Sequence, residues 1–218
     1  MQSGMVVDAV RIHDGADVLD ADLHIPEGAR GLIIFAHGSG SSRFSSRNRQ
    51  VAESLNKARF ATLLLDLLTP AEEKIDVRTR EYRFDISLLG RRVVAATDWS
   101  SDQPNVSDLP VGYFGASTGA AAALIAAAER PSAAAVVARG GRPDLAGDAL
   151  PIVRAPTLLI VGGDDAPVID LNEAAMRRMH APVELAIVPH ATHLFEEPGT
   201  LEEVQRRALD WFARHIVR

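Results

Sequence analysis

Cysteine is absent from all 218 residues of the chain. Its absence excludes a disulfide framework, a zinc finger, an iron–sulfur cluster and a thiol nucleophile, so covalent catalysis would have to use another side chain. A chain without cysteine is also compatible with a reducing cytosol, and we expect a cytoplasmic protein.

The sequence also lacks a long apolar run and an excess of positive charge. Its most apolar stretch, 120–128, is mostly alanine and is far shorter than the roughly 20 residues that cross a bilayer. The first ten residues carry no basic patch ahead of an apolar run, so they do not resemble a secretory signal. The net charge of −6 opposes nonspecific binding to nucleic acid and to anionic membranes. We therefore expect neither as a partner.

The composition is that of a globular protein, because 47% of the residues are hydrophobic and 24% are charged. At this length, one domain spanning 1–218 is favoured over two small ones. Short runs of Val, Ile and Leu alternate with helical patterns, which is typical of a mostly parallel sheet covered on both faces. The predicted fold is therefore α/β, with eight strands at 6–12, 18–25, 32–36, 61–65, 111–114, 134–138, 157–161 and 183–188. The predicted helices lie at 48–58, 85–99, 117–130, 172–179 and 201–216.

The first two predicted strands flank Asp14-Gly15, a dipeptide that favours a hairpin. The sheet is therefore expected to open with an antiparallel pair.

The sharpest motif is Gly-Ala-Ser-Thr-Gly at 115–119, between a predicted strand and a predicted helix. It matches the Gly-x-Ser-x-Gly pattern of a nucleophilic serine on a strained strand-to-helix turn. The small residues around Ser117 permit that turn, and the N–H of Thr118 at the positive end of the helix can face a developing oxyanion. The alternative is an ordinary turn in which Ser117 only caps the helix.

A serine nucleophile needs a base, and the base needs an orienting acid. The turn after the predicted strand 157–161 supplies two candidate acids, Asp164 and Asp165. The spacing Gly-Gly-x-Asp-x-x-Val favours Asp165, and leaves Asp164 to cap the turn or face solvent.

The loop after the strand 183–188 supplies two candidate bases, His190 and His193. His193 is favoured because it lies deeper in the loop and precedes Leu194 and Phe195, which can anchor the loop in the core. His190 could still be a partner that supports His193. The alternative is that both residues are ordinary surface histidines. The candidates follow the order serine, acid, histidine: Asp165 comes 48 positions after Ser117, and His193 comes 28 positions after Asp165.

A second oxyanion donor is expected in the segment 37–43, which follows the strand 32–36. Its candidate is the backbone N–H of Ser39, whereas His37 is interpreted as a structural hydrogen-bonding residue. The stretch 39–46 is rich in Ser and Gly, as a linker would be, but it lies directly between a strand and a helix. A phosphate-binding loop is disfavoured, because neither of its glycine patterns is present.

The predicted site is open, because 139–155 is too short to form a large cap between the sixth and seventh strands. Such a site favours small or accessible acyl substrates over the substrates of an interfacially activated lipase. Arg139 and Arg142 lie at the catalytic end of the sheet and could bind an anionic substrate group. The alternative is that they are solvated arginines paired with nearby acids such as Asp144.

Taken with these motifs, the chain resembles the α/β-hydrolase superfamily, and within it the small serine hydrolases related to dienelactone hydrolase. Some of those occur fused to or encoded with phosphoribosyltransferase domains. The resemblance covers nearly the whole chain and is carried by the segments 37–43, 63–69, 83–86, 95–99, 115–120, 139–144 and 193–199. It implies Ser117 as nucleophile, Asp165 as acid and His193 as base, where true dienelactone hydrolases use a cysteine nucleophile.

The sequence therefore predicts a serine hydrolase that cleaves a small ester, lactone or thioester through an acyl-enzyme, without metal or organic cofactor. Its expected partner is a small-molecule acyl substrate. An acyltransferase or peptidase could use the same three residues, and a non-catalytic protein that binds a ligand could share the fold.

Overall fold

A computed structural model describes residues 7–216, and its centre is one eight-stranded sheet. The strands are β1 Val7–Asp14, β2 Asp17–His24, β3 Leu32–Ala36, β4 Ala61–Leu65, β5 Val111–Ala116, β6 Ala135–Arg139, β7 Thr157–Gly162 and β8 Val183–Val188. Their order in the sheet is β1-β2-β4-β3-β5-β6-β7-β8. β2 pairs antiparallel with β1 and β4, and the remaining pairs are parallel. The predicted fold class and the predicted antiparallel opening are confirmed, although Val6 lies outside the described residues.

Six α-helices are found in this part of the chain: α1 Ser46–Lys57, α2 Pro70–Thr79, α3 Ile86–Ser101, α4 Thr118–Glu129, α5 Ala166–Met176 and α6 Thr200–His215. α1 and α6 bury their apolar side chains on one face of the sheet, while α3, α4 and α5 bury theirs on the other. Alternate residues of β3 point to opposite layers, so Ile34 packs in one core and Ile33 in the other. Burial on both faces explains why these strands are continuously apolar.

Two helices differ from the sequence-based prediction. α2 was not predicted, although Thr69 and Glu72 form a capping box at its start and Pro70 occupies its first turn. α5 was predicted at 172–179 but spans Ala166–Met176, because Pro167 lies in the first turn, where a helix tolerates proline.

The connection from β6 to β7 contains the short 3₁₀ segment Pro143–Ala149 rather than a domain-sized cap. Across 7–216, no helix is both long enough and apolar enough to cross a membrane. Because β3, β5, β6, β7 and β8 run parallel, the loops that follow them meet at one edge of the sheet. The predicted site residues lie at this carboxyl edge.

Candidate active site

Ser117 lies between β5 and α4 in a strained backbone conformation, with φ 51° and ψ −122°. A residue with a Cβ rarely adopts this region, and such strain is characteristic of functional turns. Although Ser117 stands at the N-cap position of α4, its side chain makes no capping hydrogen bond. The Oγ is therefore not used in the way that a simple helix cap would use it.

The glycines on either side of Ser117 allow this turn to form. A methyl group at Gly115 would lie 2.6 Å from the carbonyl oxygen of Gly119 and 2.7 Å from the backbone nitrogen of Ala120. One at Gly119 would overlap the backbone oxygens of Ala36 and His37. Only glycine lets α4 start so close to β3, which brings the loop after β3 beside Ser117.

Asp165 and His193 are joined by a hydrogen bond of 2.7 Å between Oδ2 and Nδ1. The Asp165 side chain is 14% exposed and that of His193 is 38% exposed, so the acid lies behind the histidine. Asp164 and His190, the other two candidates, are both exposed. The structure thus brings together the two residues that the sequence favoured.

Backbone hydrogen bonds connect the loops that carry this pair. The N–H of Gly163 donates to the carbonyl of Val188 at 2.8 Å, and that of Asp164 donates to the carbonyl of Ala191 at 3.0 Å. Phe195 anchors the histidine loop with 2% exposure, whereas Leu194, which was expected to help, is 39% exposed. One aromatic side chain therefore provides the anchor.

His37 is buried under the loop that follows β3. Its Nε2 accepts a hydrogen bond from the N–H of Leu67 at 3.0 Å, and its Nδ1 lies 2.9 Å from the carbonyl oxygen of Gly38. Burial lowers the pKa of His37, so the ring is neutral and Nδ1 carries the proton. This arrangement matches the structural role expected for His37.

Gly38 allows the same loop to approach the turn at Ser117. A methyl group at position 38 would lie only 3.1 Å from the Cβ of Ser117. Ser39, the predicted oxyanion donor, follows directly and lines the same cavity as Ser117. Thr118 is the first residue of α4, where a backbone N–H has no acceptor within the helix.

A cavity of about 400 Å³ joins these groups. Ser117 and His193 both line it, but residues 7–216 include no hydrogen bond between them. The bond from nucleophile to base is often long without substrate and shortens in the complex. The start of α1 forms another wall through Ser45, Arg47 and Asn48, which the sequence analysis did not single out. No motif marks these residues, although Ser45 lies within the Ser- and Gly-rich stretch 39–46 and the other two follow it directly.

The two candidate arginines are placed differently. Arg139 is 5% exposed and lines the cavity. Arg142 does not line it, and its guanidinium makes two hydrogen bonds of 2.8 Å to the carboxylate of Asp144. For Arg142 the structure shows the pairing with a nearby acid that was the alternative to substrate binding.

The model of the dienelactone hydrolase family matches residues 19–216. The chain belongs to the dienelactone hydrolase family. The crystal structure of a dienelactone hydrolase from Anabaena variabilis has a TM-score of 0.96 to this chain at 57% identity, covering 98% of this chain and 99% of that one. A dienelactone hydrolase-like promiscuous phosphotriesterase from metagenomic libraries, with a TM-score of 0.79, covers 98% and 99% of the two chains. At 22% identity, that likeness shows the fold alone.

Two curated proteins from two strains of Mycobacterium tuberculosis, both named "Putative phosphoribosyl transferase", are each 56% identical to this chain over 208 residues. The match covers 95% of this chain and 46% of each relative, so the chain spans about half the length of the curated relatives it matches. Membership of the dienelactone hydrolase family supports hydrolase chemistry for the part that they share.

Proposed function

We propose that this chain is a serine hydrolase that cleaves a small ester, lactone or thioester through an acyl-enzyme. The observation that carries the proposal is the hydrogen bond of 2.7 Å from His193 Nδ1 to Asp165 Oδ2 beside a cavity that His193 shares with Ser117. A carboxylate at Nδ1 holds the proton there and leaves Nε2 free to accept one.

In this proposal, Ser117 Oγ attacks the substrate carbonyl carbon while His193 Nε2 takes the hydroxyl proton. The tetrahedral intermediate then collapses, the bond to the leaving group breaks, and the leaving oxygen or sulfur receives the proton from His193. Water attacks the acyl-enzyme by the same route and releases the acid. Asp165 orients the imidazole and stabilises its protonated form in both steps.

The proposed oxyanion hole consists of the backbone N–H groups of Ser39 and Thr118. Support comes from the position of Ser39 in the wall of the cavity and of Thr118 at the first position of α4. Donors fixed in advance stabilise the charge that develops on the carbonyl oxygen, and one such donor contributes about a hundredfold or more to kcat.

Phosphoribosyl transfer, the activity named for the curated relatives, is not part of the proposal. The match to those relatives covers 95% of this chain, so it overlaps most of the stretch 19–216 that the dienelactone hydrolase model matches. A transferase or peptidase with the same three residues would form the same acyl-enzyme, and differs in which acceptor or acyl bond it uses.

Hydrolysis of p-nitrophenyl acetate and butyrate tests the proposal. The wild type is expected to turn over both esters, and Ser117→Ala is expected to lower kcat/KM by about a thousandfold or more. Ser132→Ala is a matched control, because Ser132 is exposed and precedes β6 at the opposite edge of the sheet. Equal rates for Ser117→Ala and the wild type, with both proteins folded by circular dichroism, would overturn it.

A further inference from the structure

Arg139 is a buried cation that has no acidic partner in the described part of the chain. Its Nη2 donates a hydrogen bond of 3.2 Å to the side-chain oxygen of Asn48, and its buried Nε has no acceptor within residues 7–216. Burial, with a smaller contribution from the charge of Arg47, lowers its pKa to about 10, so the guanidinium is still charged at neutral pH. The guanidinium carbon also lies 5.9 Å from the centre of the Phe195 ring, but neither this contact nor Asn48 supplies a negative charge. A buried charge without an opposite charge is costly, so an anionic ligand at this place would be favoured.

Two other arginines with little exposed side chain, Arg92 and Arg83, do have acidic partners. Arg92 is fully buried and binds the carboxylate of Glu72 at 2.6 Å, and Arg83 binds that of Asp76 at 2.6 Å. Between residues 7 and 216 the fold supplies carboxylates to these two arginines and none to Arg139, which lines the same cavity as Ser117.

The wall of this cavity is positively charged. Arg47 also lines it, and none of its lining residues is Asp or Glu. Arg47 bonds Glu196 at 3.2 Å, but the Glu196 side chain is 63% exposed, so this pair is weak and can yield to another anion. Two guanidinium groups thus stand beside the proposed nucleophile.

The start of α1 adds hydrogen-bond donors to the same wall. Ser45 and Asn48 line the cavity, as does Ser41 from the preceding loop, and the first turn of α1 has no acidic residue. The Ser45 hydroxyl accepts a hydrogen bond from the N–H of Asn48, and the positive end of the helix favours an anion at this place.

We propose that this cavity binds a phosphoryl group carried by the substrate, with Arg139 as the principal contact and Arg47 as the second. A phosphoryl group has three terminal oxygens and up to two negative charges, which suits two guanidinium groups, serine hydroxyls and a helix start better than one planar carboxylate does. The inference rests on the proposed function, and deepens it by naming the substrate class: phosphorylated small acyl esters.

Three p-nitrophenyl esters of similar acyl length test the inference: the neutral butyrate, the hemisuccinate and the 3-phosphonopropanoate. The wild type is expected to have a kcat/KM for the 3-phosphonopropanoate that is about tenfold or more above its kcat/KM for the butyrate. The value for the hemisuccinate should lie between these two. Arg139→Met is expected to reduce the ratio of kcat/KM for the 3-phosphonopropanoate to kcat/KM for the butyrate by about tenfold or more. Arg130→Met is the matched control, because Arg130 lies at the far end of α4, pairs with Asp98, and should leave the ratio unchanged.

A binding measurement separates this inference from the proposed function. Calorimetric titration of Ser117→Ala with 3-phosphonopropanoate needs no turnover, and the phosphonate is expected to bind about tenfold or more tightly than succinate. Adding Arg139→Met to Ser117→Ala should remove the preference for 3-phosphonopropanoate over succinate. If that double variant does not fold, Arg47→Met is added to Ser117→Ala instead, with the same expected result.

The outcomes are distinct. Absence of phosphonate binding, or tighter binding of succinate, overturns the inference even if butyrate is hydrolysed through Ser117. Phosphonate binding that depends on Arg139 supports it even if none of the three esters is cleaved, a result that would instead count against the proposed hydrolase.

Discussion

Asp165 Oδ2 lies 2.7 Å from His193 Nδ1, whereas the neighbouring Asp164 is exposed to solvent. Two adjacent carboxylates on one turn thus have different surroundings. Asp165→Asn is expected to lower kcat/KM for p-nitrophenyl butyrate by about a hundredfold or more, because an amide does not hold the proton on Nδ1 or stabilise protonated His193.

Asp164→Asn is the matched control and should retain activity within about threefold of the wild type. A larger loss for Asp164→Asn than for Asp165→Asn would transfer the role of the acid to Asp164.

The hydrogen bonds of His37 predict a pH-dependent contribution to stability. Because burial lowers the pKa of His37, the unfolded chain takes up a proton below pH 6.5 that the folded chain does not, and the free energy of unfolding falls as pH decreases. His37→Ala should cost about 1–3 kcal/mol at pH 7.5, since Leu67 loses its acceptor.

Urea unfolding at pH 7.5 and at pH 5 measures this effect. The difference in stability between wild type and His37→Ala should shrink at the lower pH, because only the wild type loses the contribution of a neutral His37. A difference that does not depend on pH would contradict the assigned protonation state. His190→Ala, at an exposed site, should change stability at pH 7.5 by less than about 0.5 kcal/mol.

The shape of the cavity predicts a preference for short acyl chains. Among the residues that the structure describes, Leu194 is the only large apolar side chain in its wall, and the connection from β6 to β7 forms no cap. At about 0.8 kcal/mol per buried methylene, chain carbons left in water give no reason to prefer long esters. kcat/KM should stay flat or fall from p-nitrophenyl butyrate to octanoate, without a jump at the solubility limit. A steep rise would show that a segment such as α2 folds over the site.

Removing the unpaired charge of Arg139 should make the protein more stable. Methionine has a similar length and no charge to desolvate, so Arg139→Met is expected to raise the free energy of unfolding by about 1 kcal/mol or more. Arg92→Met is the contrasting variant, since it strips a cation from Glu72, Asp17 and Asp14 and should cost about 3 kcal/mol or more. The free energy of unfolding of both variants is measured by urea unfolding. If Arg139→Met lowered it about as much as Arg92→Met does, Arg139 would be a residue that stabilises the fold, contrary to this prediction.

The sequence was sufficient to predict the central strands β3 to β7, because strands buried on both faces are nearly continuous apolar runs. It was not sufficient for α2, most of whose side chains are not buried and whose hydrophobic pattern is correspondingly weak. Thr69, Pro70 and Glu72 were the available signal, since together they form a helix start.

The same contrast applies to the candidate site. Ser117, Asp165 and His193 could be proposed from their order, because each follows a parallel strand and those strand ends meet at one edge. That Arg139 has no carboxylate partner could not be predicted from the sequence, because it depends on which side chains other elements bring near it. Arg47 and Asn48 were missed for a similar reason, because they reach the cavity only through the direction in which α1 leaves its loop.

Covalent labelling by a fluorophosphonate tests the central claim most directly, because it reports an activated serine without requiring the natural substrate. The account predicts stoichiometric labelling of the wild type, with the adduct located at Ser117 by mass spectrometry of its peptides. Labelling should disappear in Ser117→Ala and slow strongly in His193→Ala. An adduct at a different serine, or a folded wild-type protein that the probe does not label, would contradict the assignment of Ser117 as the nucleophile.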